Sequence, residues 1–212
     1  MKKKLLIGLL SILATAASLY FLLHKPTEKA EQAATSASEA LGQRAAEEVA
    51  RLVGNKGQIA VLSLEIAPGQ APTFVAQMEM FARTLKRHGV KIGATKLMPG
   101  GLTSLVLGTG LPAQDYVELI QRAPNAGAVV SFVGPPNLPP AELQKFQADH
   151  PPLVVVDTFG VLKGRALPAM LETKAVALAF VPLNSVEAEK EKQQANLFDR
   201  YYRILRPPAQ SP

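Results

Sequence analysis

At 212 residues, 48% hydrophobic and 19% charged, the chain has room for one domain of ordinary size beside its terminal segments and is neither disordered nor fibrous. It has no cysteine, which excludes a disulfide framework, thiolate metal sites, a cysteine nucleophile and an acylated lipoprotein Cys. The net charge of +6 includes Lys2, Lys3, Lys4 and Lys25, which flank a hydrophobic segment; setting those four aside leaves 19 basic against 17 acidic residues, a net of +2, too slight a balance to mark a nucleic-acid partner.

Leu5 to Leu23 carry no charge, and at about 1.5 Å per residue a helix of that length matches a hydrocarbon core of about 30 Å. The sequence therefore predicts a transmembrane signal anchor over residues 5–23, with residues 1–4 in the cytoplasm and everything after Pro26 outside, on the periplasmic side, because three lysines precede the segment and one follows it. A cleaved signal peptide is the alternative, since Ala14-Thr15-Ala16 satisfies the small-x-small rule, but the apolar run continues past that point to Tyr20 and Leu23. Residues 24–41, rich in Ala, Glu, Ser and Thr, read as a tether or poorly packed helix that can be deleted without loss of fold.

The expected extracytoplasmic domain covers residues 42–183. Gln43 to Val53 has helical spacing and ends at Gly54. Strands are predicted at Gln58–Leu64, Val90–Leu97, Ala126–Val133, Pro152–Val156 and Ala175–Val181, and helices at Ala71–His88, Pro112–Arg122, Pro140–Ala148 and Leu167–Thr173. In Ala71–His88 the residues Phe74, Val75, Met78, Phe81, Ala82 and Leu85 read as one apolar face. Continuously apolar runs such as Leu153 to Val156 suit a sheet covered on both faces. The expectation is an α/β fold: a doubly wound, mainly parallel five-stranded sheet of order 2-1-3-4-5, with 3-2-1-4-5 as the alternative.

Asp115 to Ile120, Ala126 to Phe132 and Pro152 to Asp157 together resemble the helix, strand and strand rhythm of type I periplasmic sugar-binding proteins. The resemblance covers about half of the domain and implies the architecture of one lobe of that family. The chain lacks the length for a second lobe, so no clamshell closure is implied.

In an open α/β sheet, ligands bind beyond the carboxyl ends of the strands. Those ends carry Glu65, Ser131, Asp157, Thr158 and Asn184, the candidate ligand-binding residues. Two carboxylates facing one crevice suit a hard cation or an acid–base pair, which makes a metal-assisted enzyme the alternative to a binding module; helix capping is the competing role for such strand-end polar residues. Gly108-Thr-Gly110-Leu-Pro-Ala113 has the spacing of a dinucleotide loop, but it does not follow the first strand and no acidic residue ends the next one, so it reads as a structural loop. No phosphate-binding loop, serine-hydrolase motif or histidine ligand pair occurs, and no cofactor is expected.

Residues 184–206 form a charged and aromatic element ahead of a Pro-rich tail, 207–212. Leu197 to Leu205 fits a helix stripe of Phe198, Tyr201, Tyr202 and Leu205 or a strand equally well, and either closes the core or presents an aromatic patch to a partner protein. The sequence thus predicts a membrane-anchored binding or interaction module whose partner is a small ligand or a protein of the envelope.

Overall fold

The computed structural model describes residues 28–54, 56–99, 112–160, 167–184, 187 and 196–208. The expected span 5–23 and the glycines of the Gly108–Gly110 loop lie outside these residues; among the described residues no helix is long and apolar enough to cross a membrane. By compactness the chain divides into Met1–Ala34 and Thr35–Pro212.

The elements are α1 (Glu28–Val53), β1 (Gln58–Leu64), α2 (Pro72–Arg87), β2 (Lys91–Met98), α3 (Ala113–Arg122), β3 (Ala128–Ser131), α4 (Pro140–Ala148), β4 (Leu153–Val156), α5 (Leu167–Glu172), β5 (Leu178–Pro182), α6 (Leu197–Tyr201) and β6 (Tyr202–Leu205). The sheet order is β2-β1-β3-β4-β5-β6, with the first five strands parallel and β6 antiparallel to β5. The sheet therefore has six strands, not five. The sixth arises because the 197–205 segment divides: Asn196 caps α6 by accepting the Phe198 N–H at 2.9 Å, and at Tyr202 the backbone turns extended and returns along β5.

Right-handed crossovers put α2, which joins β1 to β2, on one face and α3, α4 and α5, which lead the other way, on the opposite face. α3 lies against β1 and β2, held there by Lys96, whose ammonium meets Asp115 and Glu118 at 2.6 Å each. α1 shares the face of α2, and the two helices cross in backbone contact at Gly42, where a Cβ would stand 2.2 Å from the Gln77 carbonyl oxygen. The inward side of α2 is Phe74, Gln77, Phe81, Thr84 and Leu85, whereas Val75 is 40% exposed. The sheet has thus turned this helix from its purely apolar face to one that buries an amide and a hydroxyl. Phe74 and Phe81 meet Phe132 edge to face, at centroid separations of 6.1 and 5.2 Å.

α1 begins fifteen residues before the helix expected from Gln43 and carries Ala37 and Leu41 into the core. A deletion running through Leu41 therefore removes core side chains, contrary to the expectation of a dispensable tether. α1 also holds the end of the chain. Tyr202 bonds the Ser38 side chain, and Arg206 reaches Glu48 at 2.8 Å. Ten residues of helix and four of strand both span about 14–15 Å, so β6 runs alongside α1 with its fastenings in step.

Glu48 is only 4% exposed and also meets Arg51 at 2.5 Å and Arg44 at 3.1 Å. Burial pushes its carboxyl up, but the hydrogen bonds and charges of Arg206 and Arg51 outweigh burial and hold it below the usual range. A carboxylate whose pKa is lower in the folded than in the unfolded state stabilises the fold above the unfolded value, and that contribution is lost as pH falls through the folded one. Glu48→Gln is expected to cost about 2 kcal/mol at neutral pH. The deficit should shrink as the wild type is titrated below its unfolded carboxyl value; urea melts of both proteins across that range measure it, and a constant deficit would count against the ionic account.

Candidate functional site

The strand order reverses between β1 and β3: from β1 the chain moves outward to β2, then returns past β1 to build β3, β4 and β5. At such a point the flanking connections leave on opposite faces and open a crevice beyond the carboxyl ends. Glu65 follows β1 and is exposed, its N–H donating to the Met98 carbonyl at 3.0 Å. Asp157 follows β4, is 3% exposed, and its N–H donates to the Phe180 carbonyl at 2.8 Å. Thr158 is half-buried, and its hydroxyl oxygen accepts from the Gln77 amide at 3.0 Å.

Ser131 lies deeper. Its register partners are Leu62 and Val155, so it sits three residues below Glu65 along β1 and two below Asp157 along β4, roughly 6 to 10 Å down the sheet. It is fully buried, donates to the Gly134 carbonyl at 2.6 Å and accepts from the Val133 N–H at 3.3 Å. The Tyr116 hydroxyl donates to the same Gly134 carbonyl and lies 3.1 Å from Ser131 Oγ, and burial raises the phenol far above its ordinary range. These bonds fold the chain after β3 into a turn at Gly134, where φ is 94° and glycine is favoured. At the far strand, Asn184 and Glu187 exchange reciprocal bonds of 3.0 and 2.8 Å, the form of a capping box, and Glu187 pairs with Arg203 at 2.6 Å.

The edge thus brings Glu65, Asp157 and Thr158 to the crevice level, commits Ser131 to a turn beneath it, and engages Asn184 locally. Phe74, Gln77 and Phe159 join them without having been singled out. Phe74 and Phe159 lie 5.6 Å apart with rings tilted at 32°, Phe74 buried in the core and Phe159 half-buried. Gln77 spends its amide N–H on Thr158, and its buried Oε1 has no partner among the described residues. A glutamine on the inward side of an otherwise apolar helix, three residues after Phe74, was the signal. Among the described residues no group of three or more His, Asp or Glu stands close enough to hold a metal ion.

No family model and no curated protein matches the chain. Solved structures do. An arabinose-binding protein from Geobacillus stearothermophilus superposes with a TM-score of 0.51 at 14% identity, over 80% of this chain and 61% of that one. A XylFII molecule gives 0.50 at 14%, over 81% and 61%. A solute-binding protein of an ABC transporter from Burkholderia graminis, in complex with D-arabinose, gives 0.47 at 16%, over 68% and 47%. The chain thus spans less than two thirds of the length of each of these structures. The likeness is one of fold: a lobe like those of type I periplasmic sugar-binding proteins, as the strand rhythm led us to expect.

Proposed function

We propose that the chain is a membrane-tethered, extracytoplasmic binding module that takes a small polar ligand in the crevice between β1 and β3. The observation that carries this reading is the reversal of strand order there, with exposed Glu65 and half-buried Thr158 and Phe159 at that edge and Asp157 buried beside them. Hydrogen-bond acceptors beside aromatic rings suit a neutral molecule with several hydroxyl groups. The fold likeness supports the same class of ligand, since the neighbour from Geobacillus stearothermophilus is an arabinose-binding protein. The tether rests on the charge-free segment Leu5–Leu23 and the lysines before it.

Thermal unfolding of the chain from Thr35 onward, with D-arabinose, D-xylose or D-galactose, tests the ligand. At a hundredfold excess over the dissociation constant a ligand adds about 2.7 kcal/mol. Asp157→Asn should abolish that gain while leaving the unliganded fold in place. A shift given by divalent cations instead, and lost in Asp157→Asn, would replace this reading with the metal-assisted one. A reporter that is active only after export, fused behind Pro212, tests the topology; reporter activity confined to the cytoplasm would defeat it.

A further inference from the structure

The outer strand β2 is the longest of the sheet, at 8 residues, and it pairs only with β1; among the described residues nothing pairs with its other side. Edge strands that are meant to stay unpaired are usually short, or carry proline or charge along their length. β2 has no proline. Of its two lysines, Lys91 stands at the start of the strand and Lys96 turns onto α3, where it meets Asp115 and Glu118. One face of the strand is bare as well. α3 lies over the face of Ala94, Lys96 and Met98, which are half-buried, whereas Ile92, Thr95 and Leu97 are exposed, Ile92 to 40% and Leu97 to 54%. The register shift at Gly93 puts these three on one face: Ile92 pairs with Ile59, Thr95 with Val61 and Leu97 with Ser63.

Charge is distributed unevenly along the same edge. Its carboxyl end holds exposed Glu65, whose N–H donates to the last residue of β2, and the α3 acids Asp115 and Glu118, which share the single ammonium of Lys96. Its amino end holds exposed Lys91, the first residue of β2, and exposed Arg122, the last residue of α3. An edge that is acidic at one end and basic at the other complements a copy of itself laid antiparallel.

We infer that two copies of this chain pair through β2, antiparallel about a two-fold axis near Thr95, and so join their sheets into one. The symmetry makes every contact occur twice. Thr95 then faces its own counterpart and Ala94 faces Lys96; beyond Ala94, the extra residue at Gly93 brings Ile92 opposite Leu97. The exposed residues of each strand therefore cover one another, with an Ile92–Leu97 contact at both ends and the threonine pair between them. The same axis lays the basic end of one edge beside the acidic end of the other. An unrelated strand could satisfy the open backbone groups, but the side chains and charges of this edge are complementary to themselves, which selects a second copy.

The chain has no cysteine, so a single introduced thiol reports its own contacts. Full-length Thr95→Cys in a neutral detergent should form a disulfide-linked dimer on mild oxidation, because residues opposite one another across antiparallel strands have Cα atoms about 4.5–5.5 Å apart, within reach of a disulfide. Gln43→Cys, exposed on α1, should stay unlinked under the same treatment. In sedimentation the wild type should be a dimer. Ile92→Glu with Leu97→Glu should leave the melting temperature of the fold unchanged, since both side chains are exposed, yet raise the dissociation constant about tenfold or more. Lys91→Glu should weaken the dimer as well, and more at low salt than at high salt. A wild type that sediments as a monomer overturns the inference and leaves the edge to the chain's own residues or to another protein. A dimer that survives the paired Ile92→Glu and Leu97→Glu substitutions, or a ladder of higher oligomers, overturns the two-fold pairing through β2.

Discussion

A chain ending at Gln194 is expected to lose its cooperative fold and to expose core surface. The missing residues include Phe198, 3% exposed, whose ring meets Phe180 edge to face at 6.2 Å and stacks on Tyr202 at 5.9 Å. Deleting one such ring costs about 3–5 kcal/mol. The truncation also strips β6 from β5, leaves the outer edge of β5 unpaired, and removes Arg206 from the buried Glu48 carboxylate. Against a net stability of about 5–15 kcal/mol for a domain, these losses together consume most or all of the margin. Circular dichroism melting and binding of a hydrophobic dye measure it; an unchanged melting temperature in a monomeric product would refute the packing account and leave the aromatic segment free for a partner.

Gly42→Leu should be nearly as damaging. In most exposed helix positions, replacing glycine gains up to about 1 kcal/mol of helix propensity. Here the added Cβ would meet the Gln77 carbonyl oxygen at 2.2 Å, the Gln77 carbonyl carbon at 3.1 Å and the Phe81 nitrogen at 3.2 Å, all backbone atoms that no side-chain rotation can move aside. α1 must then withdraw from α2 and thin the packing of Leu41 and Ala45. Overpacking of this kind costs about 1–3 kcal/mol for a single methyl group and more for a branched chain, so the clash wins over the propensity. Gly42→Ala isolates the clash: it should lower the melting temperature, whereas a rise would show that the two helices can separate without cost.

Most of the sheet was legible because buried parallel strands leave unbroken apolar runs. Gln58–Leu64 and Pro140–Ala148 are observed at the boundaries expected for them, and the order β2-β1-β3-β4-β5 follows from alternating elements and right-handed crossovers. The division of 197–205 was not legible, because Phe198, Tyr201, Tyr202 and Leu205 satisfy both periodicities and only the open edge of β5 decides between them. The long α1 was missed for a related reason. Its Ala-rich first half has little apolar area of its own, and the burial of Ala37 and Leu41 depends on partners elsewhere in the chain. At the candidate site, Glu65, Asp157 and Thr158 were legible as residues that follow strands, while the depth of Ser131 depends on register and the burial of Gln77 on how α2 is rotated.

The bond between Glu48 and Arg206 joins residues 158 positions apart. During synthesis α1 is made well before Tyr202 and Arg206, the side chains that fasten its flank. No partial chain can complete this domain, and closing so large a loop late favours slow folding over stepwise assembly.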